Sequence, residues 1–205
     1  MIITKIEKIT KTKARIYIDG QYAFLLYQKD INLLQLEEEM ELPEKIYQEI
    51  RDKIVFYRAK QKALALLKSQ DRTRMELRNK LLEAGYTEDI IDQTITYIDS
   101  YGYLNDARYA SNYIRFRKHQ KSKLQLQMEL SRKGIGKEVL EPIFEMEYQE
   151  DGIEDPEITA IKKIIMKKNI DTKNITWEEK QKLVASLYRK GFALDKINSI
   201  LQIEL

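Results

Sequence analysis

The basic side chains in the middle of the chain offer the most chemistry. Between Asp106 and Lys137 stand nine Lys or Arg and two acids, a local balance of +7 in a chain whose net charge is only +3. From Glu138 to Ile158 the pattern reverses, to nine acids and no Lys or Arg. Such a block can dock an acidic protein surface or a phosphate backbone; it can equally be a solvated helix pair followed by an acidic linker. Catalysis has much less to work with. The single histidine, His119, follows Arg117-Lys118 and precedes Gln120-Lys121, with no neighbouring carboxylate to orient it. The chain has no cysteine, which excludes disulfides, thiolate ligands and a cysteine nucleophile. A zinc site would have to be almost entirely carboxylate. Gly134-Ile135-Gly136-Lys137 lacks the first glycine of a phosphate loop and has Glu138 in place of Ser/Thr. The acids after Glu138 lack the alternating spacing of a calcium loop. The pattern predicts a binding protein rather than an enzyme, without cofactor or metal.

The composition says what must position these residues. Of 205 residues, 43% are hydrophobic, 34% are charged and only three are proline, which favours long solvated helices. Met1-Ile2-Ile3-Thr4-Lys5 lacks the plan of a secretory signal, and no apolar run approaches the ~20 residues of a membrane span. A cytoplasmic protein with no membrane contact is expected. Near the N-terminus, Ile16 to Phe24 reads as a β-hairpin whose Asp19-Gly20 pair suits a type I′ turn, and Ile2 to Ile9 could add a third strand. Leu42-Pro43-Glu44 suits a helix start, followed by Ile46, Ile50 and Ile54 at helical spacing.

The remainder is repetitive. Leu77, Leu81, Gly85 and Tyr86 recur as Leu126, Leu130, Gly134 and Ile135, and again as Leu183, Leu187, Gly191 and Phe192. Glycine after a helix with an apolar residue behind it is the pattern of a Schellman ending. An amphipathic pair follows each time: Ile91/Ile95, Leu140/Phe144 and Ile197/Leu201. A helix precedes each unit, through Ala63/Leu67, Ala107/Ala110 and Ala160/Ile164. The expected fold is mainly α, with three tandem three-helix repeats in an elongated curved array and a small N-terminal β-hairpin region. The expected divisions are a hairpin region at 1–42, a bridging helix and first repeat at 43–104, a second repeat at 105–149, and an acidic joint with the third repeat at 150–205. Glu150 to Pro156 reads as a flexible joint that leaves the third unit free to swing.

One stretch of the second unit resembles a known family. Gly102-Tyr103-Leu104-Asn105-Asp106-Ala107-Arg108-Tyr109-Ala110, with Tyr113, Arg117 and Leu130-Ser131-Arg132-Lys133-Gly134-Ile135, resembles the signature of the RecX family, bacterial regulators of the RecA recombinase. Ala63 to Leu67 and Arg72-Thr73-Arg74-Met75-Glu76-Leu77 resemble that family's first unit. The family often has Asp-Asp where this chain has Asn105-Asp106, and Gly-Pro with a basic residue where it has Lys121-Ser122-Lys123. Asn caps a helix as well as Asp, so the first change is neutral. The second keeps charge but loses a rigid turn. The resemblance implies a protein, expected as a monomer, that lies in the groove of the RecA–single-stranded DNA filament and inhibits recombinase, ATPase and coprotease activity, with single-stranded DNA as a further contact. It points to Arg72 and Arg74 in the first unit and Arg115, Arg117, Lys118, Lys121, Lys123, Arg132 and Lys133 in the second as electrostatic docking residues. Tyr103, Tyr109 and Tyr113 are expected to pack rather than to stack on bases. Two rival readings stay open: a helical protein that binds single-stranded nucleic acid directly, and an adaptor that docks through its acidic joint.

Overall fold

The computed structural model describes residues 1–149, 155–172 and 174–201. It divides into two compact units, Met1–Asn105 and Asp106–Leu205. Most of the acidic joint, Glu150 to Glu154, lies outside the described residues.

The first unit opens with three antiparallel strands, β1 (Ile3–Thr10), β2 (Lys13–Ile18) and β3 (Gln21–Tyr27), in that order. Asp19 and Gly20 both take positive φ, 49° and 80°, as the expected tight turn between β2 and β3 requires. The third strand is present, and it pairs with β2, which becomes the central strand. Alternation then sorts the side chains: Ala14, Ile16, Ile18, Phe24 and Leu26 are buried on one face. A short α1 (Gln28–Leu33) follows.

The helix that covers the sheet starts as α2 (Glu44–Glu49), with the carbonyl of Pro43 accepting from the amides of Ile46 and Tyr47. It widens into a π-helical segment (Ile50–Phe56) and continues as α3 (Tyr57–Ser69). The wider turn alters the expected stripe: Ile50 and Val55 are buried, while Ile54 is only partly so. α4 (Arg74–Glu83) and α5 (Glu88–Ser100) complete repeat one.

The second unit holds α6 (Asp106–Arg117), α7 (Lys123–Arg132) and α8 (Lys137–Gln149), then α9 (Pro156–Lys167), α10 (Trp177–Arg189) and α11 (Leu194–Leu201). All three middle helices end alike. The amide of the residue after each glycine donates to the carbonyl of the second leucine: Tyr86 to Leu81, Ile135 to Leu130 and Phe192 to Leu187. Gly85, Gly134 and Gly191 sit at φ of 84–88°, a left-handed conformation that a side chain would strain. All three also begin alike. Thr73, Ser122 and Thr176 accept hydrogen bonds from the amides of Glu76, Gln125 and Glu179, three residues into each helix. In repeat three the helix runs three residues longer than in the other two.

Within each repeat the paired apolar positions converge. Leu77, Leu81, Ile91 and Ile95 are buried in repeat one; Leu126, Leu130, Leu140 and Phe144 in repeat two; Leu183, Leu187, Ile197 and Leu201 in repeat three. One pair needs correction. Ala107 is exposed in the first turn of α6, and the contact is carried by Ala110 and Ile114, one i, i+4 step along the buried face.

Candidate docking surface

Five of the seven candidate cations of repeat two fall into two groups. The first follows α6 and α7. Tyr109 and Tyr113, one helical turn apart, stack with centroids 6.1 Å apart and planes at 17°. Lys133 places its amine 5.4 Å from the Tyr109 ring centre, and Arg117 places its guanidinium 4.4 Å from that of Tyr113. Cations over ring faces are attracted to the π density and held in place. The Tyr113 hydroxyl donates to Glu129 at 2.7 Å, and Lys121 reaches the same carboxylate at 2.5 Å. Burial pushes the Glu129 carboxyl up, but hydrogen bonds from Lys121, Tyr113 and Gln125 outweigh it and hold the group below its ordinary value. Burial and the Glu129 charge together push the Tyr113 hydroxyl up, so it stays a donor. The result is a strip of Lys133, Tyr109, Tyr113, Arg117 and Lys121 with positions fixed by rings and one carboxylate.

The second group faces α8, through Glu147, which is fully buried. Arg115 donates to it twice, at 3.1 and 2.8 Å, and Ser111 at 2.5 Å. Burial raises the Glu147 carboxyl, but these bonds and the Arg115 charge bring it below the ordinary value. Lys118 is 3% exposed, and its amine donates to the Glu147 backbone carbonyl. That burial removes Lys118 from the exposed cations. Its role is to tie α6 to the end of α8.

Lys123 begins α7 rather than lying in a loop, with its amine 5.6 Å from the Phe144 and Tyr148 ring centres. Arg132 is exposed in the last turn of α7, where the helix dipole favours a cation. In the first unit, Arg74 pairs with Asp99 at 2.9 Å on the surface. Arg72 is half-buried, and its Nε has no hydrogen-bond partner among the described residues. The expected packing role suits Tyr109 and Tyr113, which lie against the repeat-two core. Tyr103 differs: it is 53% exposed and stacks on Tyr101, itself 61% exposed, at 6.2 Å and 18°.

Several acids after Glu138 prove not to be linker. Glu147 lies on α8, and Glu157 is buried at the start of α9, where Oε1 accepts from the Lys123 amide and Oε2 from the Lys196 amine, both at 2.7 Å. Ser122 adds a bond to the Lys190 carbonyl at 2.5 Å. Burial pulls the Lys196 amine down, yet Asp155 and Glu157 raise it overall. Polar contacts therefore link repeat three to repeat two. Sequence reasoning missed these acids. Glu147 does sit at the next buried position of the face that carries Leu140, Ile143 and Phe144, and that register was a usable signal.

Among the described residues, no group of three or more His, Cys, Asp or Glu could hold a metal ion. No described helix is long and apolar enough to cross a membrane.

Fold and surface together define a tandem three-helix-repeat protein with an N-terminal sheet and a ring-anchored basic strip on its second repeat. Comparison with known proteins agrees, repeat by repeat. The first, second and third three-helix domains of RecX match residues 59–97, 105–141 and 155–201. Regulatory protein RecX of Caldanaerobacter subterraneus subsp. tengcongensis is 30% identical, across 99% of this chain and 100% of its own. That of Clostridium perfringens strain SM101 is 30% identical across 97% and 92%. The chain belongs to the RecX family of regulatory proteins. A crystal structure of RecX from Lactobacillus salivarius superposes with a TM-score of 0.57 at 27% identity, over 72% of this chain and 94% of its own. A second crystal structure of a regulatory protein RecX shares the fold, with a TM-score of 0.63 at 24% identity over 99% of both chains.

Proposed function

We propose that this regulatory protein binds the RecA filament on single-stranded DNA and mainly inhibits its recombinase, ATPase and coprotease activities. The observation that carries the reading is the strip of Lys133, Arg117 and Lys121 held on Tyr109, Tyr113 and Glu129. Cations whose positions are already fixed lose less entropy on docking than free lysines, and complementary charge speeds encounter with an acidic surface. Arg132 and Lys123 extend the same basic repeat, Arg115 adds a half-exposed guanidinium, and Arg72 and Arg74 offer a lesser contribution from the first unit. Lys118 is left out because its amine is buried.

The test is RecA ATP hydrolysis on single-stranded DNA with the purified chain added. Inhibition is expected at stoichiometric amounts, and Arg117→Glu with Lys133→Glu should weaken it at least about tenfold, as the loss of two charge-assisted contacts implies. Undiminished hydrolysis with the unaltered protein would refute the reading. A second reading, direct binding of single-stranded nucleic acid, is favoured by the exposed, stacked Tyr101 and Tyr103. Tight, salt-sensitive binding to bare strands without any recombinase would select it.

A further inference from the structure

A cleft of about 450 Å³ opens between the sheet and repeat one. This lies within the roughly 300–1,000 Å³ of ordinary small-molecule sites. Four cations line it, Lys13 and Arg15 from β2 and Arg58 and Lys62 from α3, against a single acid, Glu83. The local charges do not cancel. Arg58 is spent on Asp30, which it grips with two bonds of 2.6 and 2.9 Å. Glu83 is neutralised by Lys80 at 2.7 Å, and so does not offset the cleft cations. The contact of Arg15 with Glu7 is long, at 3.6 Å. Lys13 rests over the Tyr27 ring at 5.2 Å, and among the described residues neither it nor Lys62 forms an ion pair.

Two amines and a loosely held guanidinium thus meet in a concavity with partly apolar walls, where field lines concentrate and an anion is attracted. Tyr86 also lines the cleft. Burial pushes its hydroxyl up to about 12, so it remains a neutral hydrogen-bond donor at any physiological pH. A phosphate group suits this set best, because it carries up to two charges and three acceptor oxygens, and lysine binds it as a point charge. The space exceeds what a bare phosphate needs. Ile9, Leu25 and Ala84 supply an apolar side for the body to which the phosphate is attached.

We propose that this cleft binds a nucleoside phosphate, either free or as part of a nucleic-acid strand, through Lys13, Lys62 and Arg15. None of these residues is among the docking residues proposed above.

The experiment titrates the full chain with adenosine diphosphate and, in parallel, with a short oligothymidylate, following the backbone amide resonances of Lys13, Lys62 and Gly85. Saturable shifts at these amides are expected with at least one probe. Shifts with the diphosphate alone assign the site to free nucleotides; shifts with the oligonucleotide alone assign it to a strand. Lys62→Gln, an exposed helix position that should not disturb folding, should weaken binding about tenfold, and Lys13→Gln similarly. The proposal is overturned if neither probe moves these amides, or if both variants, still folded, bind as tightly as the unaltered chain.

Discussion

The two compact units join their parts by different chemistry. In the first, the sheet and repeat one share apolar burial: Ala59 and Ile90 of repeat one lie in the same cluster as Ile16 and Phe24 of the sheet, and Tyr86 packs against both this cluster and the repeat-one core. The Arg58–Asp30 pair adds a polar contact at the edge. In the second, repeats two and three keep separate apolar clusters. Polar contacts link them: Ser122 to the Lys190 carbonyl and Glu157 to the Lys123 amide, with Leu124 packed beside Gly191. Apolar burial is non-directional and scales with area. A polar junction instead depends on every partner being present, because a buried group left alone keeps its whole desolvation cost.

The largest effect should come from the apolar junction. Ile90→Ala removes a side chain that is 2% exposed, at a cost of about 2–5 kcal/mol, as for other large-to-small core changes. Because the cluster is shared, strand and helix signals of the first unit should be lost in one transition during urea unfolding. If the sheet amides kept their exchange protection while α5 melted, the shared core would be disproved. At the polar junction, Glu157→Ala should cost less, about 1–3 kcal/mol, by leaving the Lys123 amide unpaired and the Lys196 amine with Asp155 alone. Its signature is local. Hydrogen exchange should accelerate in α9 and α11, while the first unit is unaffected. Equal acceleration in both units would mean that this contact does not separate their stabilities.

This contrast explains what the sequence could and could not tell. The threefold Leu-Leu-Gly pattern is a backbone rule, since a left-handed residue after a helix calls for glycine wherever the helix lies. It therefore located three helix endings from spacing alone. The Asp19-Gly20 turn was legible for the same reason. The roles of the charged residues were not, because they depend on which helix faces which. Lys118 and Arg117 are adjacent in the chain, yet α6 turns one into the protein and lays the other over Tyr113. Glu147 and Glu157 belong to an acidic run that composition alone reads as linker, and only the packing of α8 and α9 shows them buried. The strip on repeat two was half legible: its charge was plain, but the rings and carboxylate that fix it were not.

The smallest effects separate surface charge from buried charge. Arg74–Asp99 and Arg115–Glu147 have similar spacing, 2.9 and 2.8 Å, and both arginines are about half exposed. The carboxylates differ. Asp99 is solvated and Glu147 is fully buried. Arg74→Ala should therefore change stability by less than about 1 kcal/mol, the usual worth of an exposed pair. Arg115→Ala should cost more, up to about 2 kcal/mol, because it strips a buried carboxylate of charge-assisted bonds. Acid should show the difference as well. The folded Glu147 carboxyl titrates below its ordinary value of 4.5, so its contribution is fully present above that value and is lost as the pH falls through the lower, folded one. Arg115→Ala should flatten this acid-side loss in melting temperature, and Arg74→Ala should leave it unchanged. Equal acid profiles for the two variants would mean that the burial of Glu147 does not strengthen its pairing with Arg115.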